Sequence, residues 1–278
     1  MKALDQEEFI RNLKNGHEES FTVLYNTYGR EIYSLAYRMT GNKEDAEDIT
    51  QETFLQVARH IESFNGKSQL YTWIYTITKN LCYRFFQRQK KTSFTALETL
   101  IHTFQGQEAP TDITTLERQY LINQVKEGCL TGLLRCLSFY QRVAFILHVL
   151  IRLPIQDVAE IIEKSEGATK VLIHRARKNL KGFLCTNCSL YTQTNSCRCE
   201  NLIRFSLNQG WITKPSQEEL KTFSPIDTRK IEEEIESIRK ITGLYITLSD
   251  QNPPEDISLR IQQIIRTQDW SIFSAKKV

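Results

Sequence analysis

The sequence predicts an all-α protein: two small helical domains joined by a linker, followed by a mostly helical C-terminal extension. Three observations lead there. Apolar residues recur at helical spacing through most of the chain. Glycine and proline are scarce, 11 and 6 in 278 residues. No stretch alternates with a period of two for long enough to suggest a sheet. The length suffices for two domains. The longest apolar run, "VAFILHVLI" at 143–151, is broken by His148 and is far short of a bilayer span. The opening "MKALDQEEFIRN" has no signal-peptide core, so a cytoplasmic protein that engages no membrane is expected.

Taken in order, Phe21, Leu24, Tyr25, Tyr28, Ile32, Leu35 and Ala36 mark a first amphipathic helix. Ile49, Thr53 or Phe54, Val57 and Ile61 mark a second, and Leu70, Trp73, Ile74, Ile77 and Leu81 a third. The polar, Gly-containing loop "FNGKSQL" lies between the last two. These helices make a first domain over 1–91. From 92 to 115 the periodicity fades, and "FQGQEAPTDITT" has the composition of a linker. A second helical domain spans 116–184. A cysteine-rich segment and helical extension, 185–278, complete the chain, with Ile231, Ile235, Ile238 and Ile241 on one helix and a last short helix at 257–268. No internal repeat is present.

The net charge is only +3, so contact with nucleic acid has to come from local clusters. There are two. "KNLCYRFFQRQKK" at 79–91 holds five cations and no acid, directly after the aromatic-rich "LYTWIYTI". Cations beside aromatic platforms hold unstacked single strands, at ~1–3 kcal/mol per stacked base. The second, "IQDVAEIIEKSEGATKVLIHRARKNLKG" at 155–182, reads as a short helix ending near Glu163, a turn, and a second helix rich in cations. This is a helix-turn-helix whose second helix is suited to a major groove, with most of its affinity drawn from phosphates. Against them stands "EDAEDITQETF" at 44–54, with five carboxylates in its first nine positions. Such a strip is either a solvated helix face or a docking surface for a basic protein.

Together these segments resemble the bacterial RNA polymerase sigma-70 family, in its extracytoplasmic-function (ECF) group. "FTVLYNTYGREIYSLAYRMTGNKEDAEDITQETFLQVARHIESF" is similar to the start of the family's region 2, "YTWIYTITKN" to its promoter-melting helix, and "SEGATKVLIHRARKNL" to its region 4 helix. The resemblance covers about 20–91 and 116–184. It implies an alternative sigma factor that brings core polymerase to specific promoters. Asp48, Gln51, Glu52 and Phe54 would then dock on the clamp helices of core polymerase, whose flap is a second contact. An acidic helix repels DNA and complements a basic protein surface. Asn65, Lys67, Ser68 and Gln69 would capture a flipped base of the −10 element. Trp73 would sit at the edge of melted DNA, and Asn80, Arg84 and Arg88 would follow the duplex. The helix-turn-helix would read the −35 element through Lys170, His174, Arg175, Arg177 and Lys178, and the linker would thread the polymerase's RNA path.

The chain departs from the family at three points. Glu163 occupies a turn position where many helix-turn-helices have glycine, at a cost of about 1 kcal/mol if its φ is positive. Val171 and Leu172 stand where relatives often show Ser and Arg, so they can touch a thymine methyl but cannot bond a guanine edge. Tyr83 replaces an acidic residue.

"CTNCSLYTQTNSCRC" places Cys185, Cys188, Cys197 and Cys199 in the spacing C-x2-C-x8-C-x-C. Three readings are open: a tetrahedral zinc site, a thiol–disulfide switch, and plain thiols. Arg198 and Lys181 nearby are expected to lower the thiol pKa values. Cys82, Cys129 and Cys136 fall in helical patterns and read as small core residues. Residues 200–278 hold 11 Lys/Arg and 12 Asp/Glu, hence no basic stripe. They could hold the rest of the protein inactive in cis, released through the cysteines. Whether a separate anti-sigma factor also binds stays open.

No phosphate-binding Gly loop and no nucleophile–base pair is present, so no enzyme is expected. The rival to a sigma factor is a stand-alone helix-turn-helix regulator, which leaves the acidic helix unexplained. A cysteine-dependent redox enzyme would lack an α/β scaffold for its C-x-x-C.

Overall fold

The computed structural model describes residues 3–89, 92–104, 110–223, 261 and 263, with side chains from residue 7 onward. In chain order its helices are α1 (Ala3–Lys14), α2 (Glu18–Thr40), α3 (Lys43–His60), α4 (Leu70–Arg88), α5 (Phe94–Phe104), α6 (Thr115–Arg135), α7 (Phe139–Phe145), α8 (Ile155–Ile161), α9 (Glu166–Asn187), α10 (Ile203–Asn208) and α11 (Gln217–Thr222). Among the described residues the nearest approach to a strand is an isolated bridge between Cys188 and Cys197. None of the described helices is long and apolar enough to cross a membrane. The all-α expectation holds.

The described residues fall into two compact units. The first takes in the residues up to Gln89, then Pro154–Ser165, Ile261 and Gln263; the second takes in the rest.

In the first unit, α2, α3 and α4 pack against one another through the apolar stripes expected of them. Leu24, Ile32, Leu35, Val57, Leu70 and Ile74 are shut off from solvent. The joint between α2 and α3 follows from two adjacent residues. Gly41 takes a left-handed φ of 74° and its N–H bonds the Tyr37 carbonyl at 2.7 Å, closing α2. Asn42 then caps α3, its side chain accepting the Asp45 N–H at 2.9 Å. Buried Thr50, Thr53 and Thr78 each donate to the carbonyl four residues earlier. Their hydroxyls are thereby satisfied inside their own helices, which lets α3 and α4 come close. Neither α1 nor its contacts were expected: it packs on α2 and on the 3-10 turn Ile61–Ser63.

The turn after α8 forms as the sequence suggests. Glu163 has φ 57°, the Glu163 N–H bonds the Glu160 carbonyl, and the Lys164 N–H bonds the Ala159 carbonyl. This is a Schellman closure with a glutamate in the position that favours glycine. One feature differs from expectation. The boundary between the units falls inside the helix-turn-helix: α8 packs on α4 in the first unit, and α9 packs on α7 in the second.

In the second unit α6 starts at a capping box, the Thr114 side chain accepting the Glu117 N–H and Glu117 accepting the Thr114 N–H. Ser138 and Gln141 do the same for α7. Buried Arg142 is held by the carbonyls of Arg135 and Leu137 at 2.6 and 3.3 Å. The stretch expected to be a linker instead contains α5, with Ile101 buried and Phe104 stacked on Phe205 at 3.8 Å. Phe94, Leu97, Ile101 and Phe104 recur at helical spacing, and α9 and α10 complete that face. The tail also lies along α6, where Tyr120 donates to Glu219 at 2.9 Å and Gln124 to the Thr213 carbonyl at 3.1 Å. The expected helix through Ile231 to Ile241 lies outside the described residues. Of the last helix, Ile261 and Gln263 are helical and Ile261 is buried.

Candidate polymerase and nucleic-acid interfaces

The acidic strip, in which the second helix is expected to begin, lies wholly within the opening turns of α3. Carboxylates there face the positive end of the helix dipole and are favoured locally. The row Glu44, Asp48 and Glu52, spaced four apart, is a different matter. Like charges at that spacing cost a helix ~0.2–0.5 kcal/mol per pair, so helix stability does not account for it. Asp48 is exposed and Gln51 and Glu52 are half-buried. Glu52 accepts from Gln56 at 3.0 Å and from Arg59 at 3.2 Å, which fixes its carboxylate one turn from the open Asp48. Phe54 is a correction. It is only 2% exposed, set edge-on against Tyr25 at 5.1 Å. Its place on the inward stripe of α3 makes it a core residue that orients the helix, not a contact.

The loop before α4 is built on Phe64, which is buried and packs against the half-exposed Trp73 ring at 5.3 Å. Gly66 supplies a positive φ of 71° at the tip. Asn65 accepts the Lys67 N–H at 3.1 Å, so it shapes the turn as well as lining it. Lys67 and Gln69 are exposed and Ser68 half-buried. Nothing in the residue pattern points to Lys14, whose Nζ reaches from α1 to the Phe64 carbonyl at 2.6 Å and ties down the root of the loop.

On α4 the charges divide by face. Asn80, Arg84 and Arg88, four apart, form an exposed row. Lys79 points inward, its side chain 6% exposed, and bonds Glu163 at 2.6 Å. That ammonium is the chief reason the Glu163 carboxyl is held below its ordinary range. Tyr71 donates to Asp157 at 2.5 Å. Burial first, and then this carboxylate, push the Tyr71 phenol up to about 12. α8 is thus fastened to the face of α4 opposite the cationic row, through pairings that sequence spacing cannot reveal.

On α9, Thr169, Ile173, Ala176, Leu180, Phe183 and Leu184 form the inward stripe. Lys170, His174, Arg175 and Lys178 are exposed, as expected of a helix that meets phosphates, and so is Lys181. Lys170 is shared with Glu166 at 3.7 Å. Arg177 differs from its fellows: it is half-buried, with an Nε that is buried and has no hydrogen-bond partner. It sits one position round from the open face. Exposed Val171 adds an apolar spot beside the cations.

The cysteines do not arrange as their spacing suggests. Cys185 is hydrogen-bonded by Tyr191. Cys188, Cys197 and Cys199 lie together, and the thiol of Cys129 on α6 joins them. Burial pushes Cys197 up to about 11 and Cys199 up to about 12, and raises Cys129 and Cys188. This is opposite to the lowering expected from Arg198 and Lys181, because burial is the largest influence on each thiol. Among the described residues no group of three or more His, Cys, Asp or Glu side chains is placed to hold a metal ion. Cys82 is a buried core residue, and half-buried Cys136 donates to the Gly132 carbonyl.

An acidic helix face, an aromatic loop beside a cationic row, and a cationic helix after a helix-turn-helix corner define a protein that meets both nucleic acid and a basic protein surface. The comparisons give that class a family. Residues 24–92 match the model of Sigma-70 region 2, and residues 127–180 that of Sigma-70, region 4. The RNA polymerase sigma factor YlaC of Bacillus subtilis is 32% identical over 59% of this chain and 92% of its own. The ECF RNA polymerase sigma factor SigW of the same organism is 27% identical over 62% of this chain and 92% of its own. A solved structure of CnrH in complex with the cytosolic domain of CnrY aligns at 16% identity, covering 65% of this chain and 97% of that one, with a TM-score of 0.48. The chain belongs to the sigma-70 family of RNA polymerase sigma factors, in its extracytoplasmic-function group.

Proposed function

We propose that the chain is an alternative sigma factor that directs core RNA polymerase to specific promoters and initiates transcription there, acting in the cytoplasm and without catalytic chemistry of its own. The observation that carries this reading is the carboxylate row on α3, which works against both DNA binding and helix stability and is explained by a basic protein partner. Asp48, Gln51 and Glu52 are its contacts. Lys67, Ser68 and Gln69, with Asn65 shaping their turn and Trp73 beside them, meet the −10 element. Asn80, Arg84 and Arg88 follow the duplex. Lys170, His174, Arg175 and Lys178 meet the −35 element, and Arg177 must rotate outward to join them. The tail regulates in cis, a reading supported by its packing along α6.

The test is transcription in vitro from a promoter library with bacterial core enzyme. Defined start sites that appear only when the chain is added support the reading. Sequence-specific DNA binding with no transcripts and no complex with core would favour a stand-alone regulator. Regulation by the tail is tested in the same assay with Phe205→Ala, which removes the stack on Phe104. A change in transcript yield supports it, and equal yield sets it aside.

A further inference from the structure

We propose that Cys129, Cys188, Cys197 and Cys199 form a four-thiolate site for a soft divalent metal ion of the zinc class, which fastens the tail to α6. The ligand set differs from the one that spacing suggests, because a residue of α6 replaces Cys185. The inference stands apart from the polymerase reading.

Four features of the backbone bring these residues together. The bridge between Cys188 and Cys197, with the Ser189 N–H on the Cys197 carbonyl at 3.2 Å, sets two cysteines side by side. Arg198 is extended (φ −113°, ψ 134°), so Cys197 and Cys199 project to the same side while Arg198 faces solvent. Cys199 opens the 3-10 turn Cys199–Leu202, and that turn packs on α6, which carries Cys129. The connecting loop is pinned by Asn195, whose side chain donates to the carbonyls of Cys185 and Cys188 at 2.9 and 3.2 Å. The bridge and the packing of the 3-10 turn on α6 thus bring the cysteine segment against the helix that carries Cys129.

The surroundings suit a metal thiolate. The backbone N–H groups of Leu190 and Tyr191 point at the Cys188 sulfur. Lys126, 6% exposed, lies one turn before Cys129 on α6. On binding, each thiol releases its proton to solvent and gives the ion a lone pair. Four thiolates on a divalent ion leave a charge of −2, which the lysine and the amide dipoles offset, as outer groups do around metal ligands. A peroxide-sensing switch fits less well. Redox-sensing cysteines are solvent-accessible, whereas Cys197 is only 6% exposed. Soft divalent ions prefer sulfur ligands in this number.

The experiment uses the full chain, purified under reducing conditions. Native mass spectrometry after addition of zinc chloride should show one ion per chain. Cobalt chloride in its place should give the visible bands of a tetrahedral thiolate complex. Cys129→Ser should weaken zinc binding more than ~100-fold, beyond the ~10–100-fold that losing an outer-shell group costs, whereas Cys185→Ser leaves it unchanged. Iodoacetamide mapping of the native chain guards against a misfolded variant. Zinc should protect Cys129, Cys188, Cys197 and Cys199, a chelator should remove that protection, and Cys185 should label alike in both. No retained metal, a disulfide between Cys188 and Cys197 under these conditions, or metal-dependent protection of Cys185 in place of Cys129 would overturn the proposal.

Discussion

Helices α3 and α9 are built alike and charged oppositely. Each buries one apolar stripe in its own unit, Ala46 to Ala58 in one and Thr169 to Leu184 in the other, and turns a charged face outward. On α3 that face carries Glu44, Asp48 and Glu52; on α9 it carries Lys170, His174, Arg175, Lys178 and Lys181. Since the packing is equivalent, the difference between the helices lies in what each can approach. Phosphates are attracted to one and repelled by the other, and a basic protein surface reverses the preference. One chain can therefore hold two partners without either competing for the other's helix. The net charge of +3 conceals this, because the two faces largely cancel.

The comparison can be pressed hardest on α9. Removing two of its exposed cations, Arg175→Ala with Lys178→Ala, should weaken promoter binding by the reconstituted polymerase complex about 10- to 100-fold near physiological salt. The slope of log K against log salt should fall by about 2, one unit for each phosphate no longer neutralised. A loss confined to one promoter sequence, with the slope unchanged, would mean that these residues read bases instead. Core binding should not change, since α3 is untouched.

A smaller effect is expected where α4 holds α8. Glu163 is strained by its left-handed backbone and kept there by Lys79. Glu163→Gln retains the strain and loses the charge, so it should destabilise by about 1 kcal/mol, measured by urea denaturation at pH 7. The pH dependence has a defined sign. The folded carboxyl lies below its ordinary value of 4.5. Its contribution is therefore complete above about pH 4.5 and is lost as pH falls through the depressed folded pKa. The Gln variant should lack that part of the acid limb and approach wild type at low pH. A constant difference across the range would point to a role other than charge.

The smallest predicted effect is at the start of α3. Asn42→Ala removes the cap that accepts the Asp45 N–H, and should cost about 1 kcal/mol or slightly less in stability. Core binding should weaken only as far as the first turn of the acidic row frays. Loss of core binding equal to that of an Asp48 variant would show that the first turn, and not the row, is what docks.

Much of this is legible in the sequence, and the parts that are not share a cause. The helical periods, the corner at Glu163 and the cationic face of α9 are set by residues close together in the chain, and pattern reading finds them. Phe54 is given to the docking face by the resemblance alone, while the apolar stripe it helps to mark already turns it inward, against Tyr25. Lys79 looks like one more cation on α4, and its partner is 84 residues away. Cys129 reads as a core residue because the cysteines it meets come after α9. α5 is overshadowed by the linker composition that follows it, although Phe94, Leu97, Ile101 and Phe104 recur at helical spacing; only its partners, Phe183 and Phe205, lie beyond pattern reading.

The central claim is that the acidic row of α3 docks on core polymerase, and gel filtration with bacterial core enzyme tests it most directly. Wild type would be run beside the variant Asp48→Lys with Glu52→Lys, after both have been shown to melt alike. Like-charge juxtaposition at an interface costs several kcal/mol, so wild type should co-elute with core and the variant should elute free. Equal co-elution of the two would contradict the account, because a face whose charge can be reversed without effect is not the docking surface.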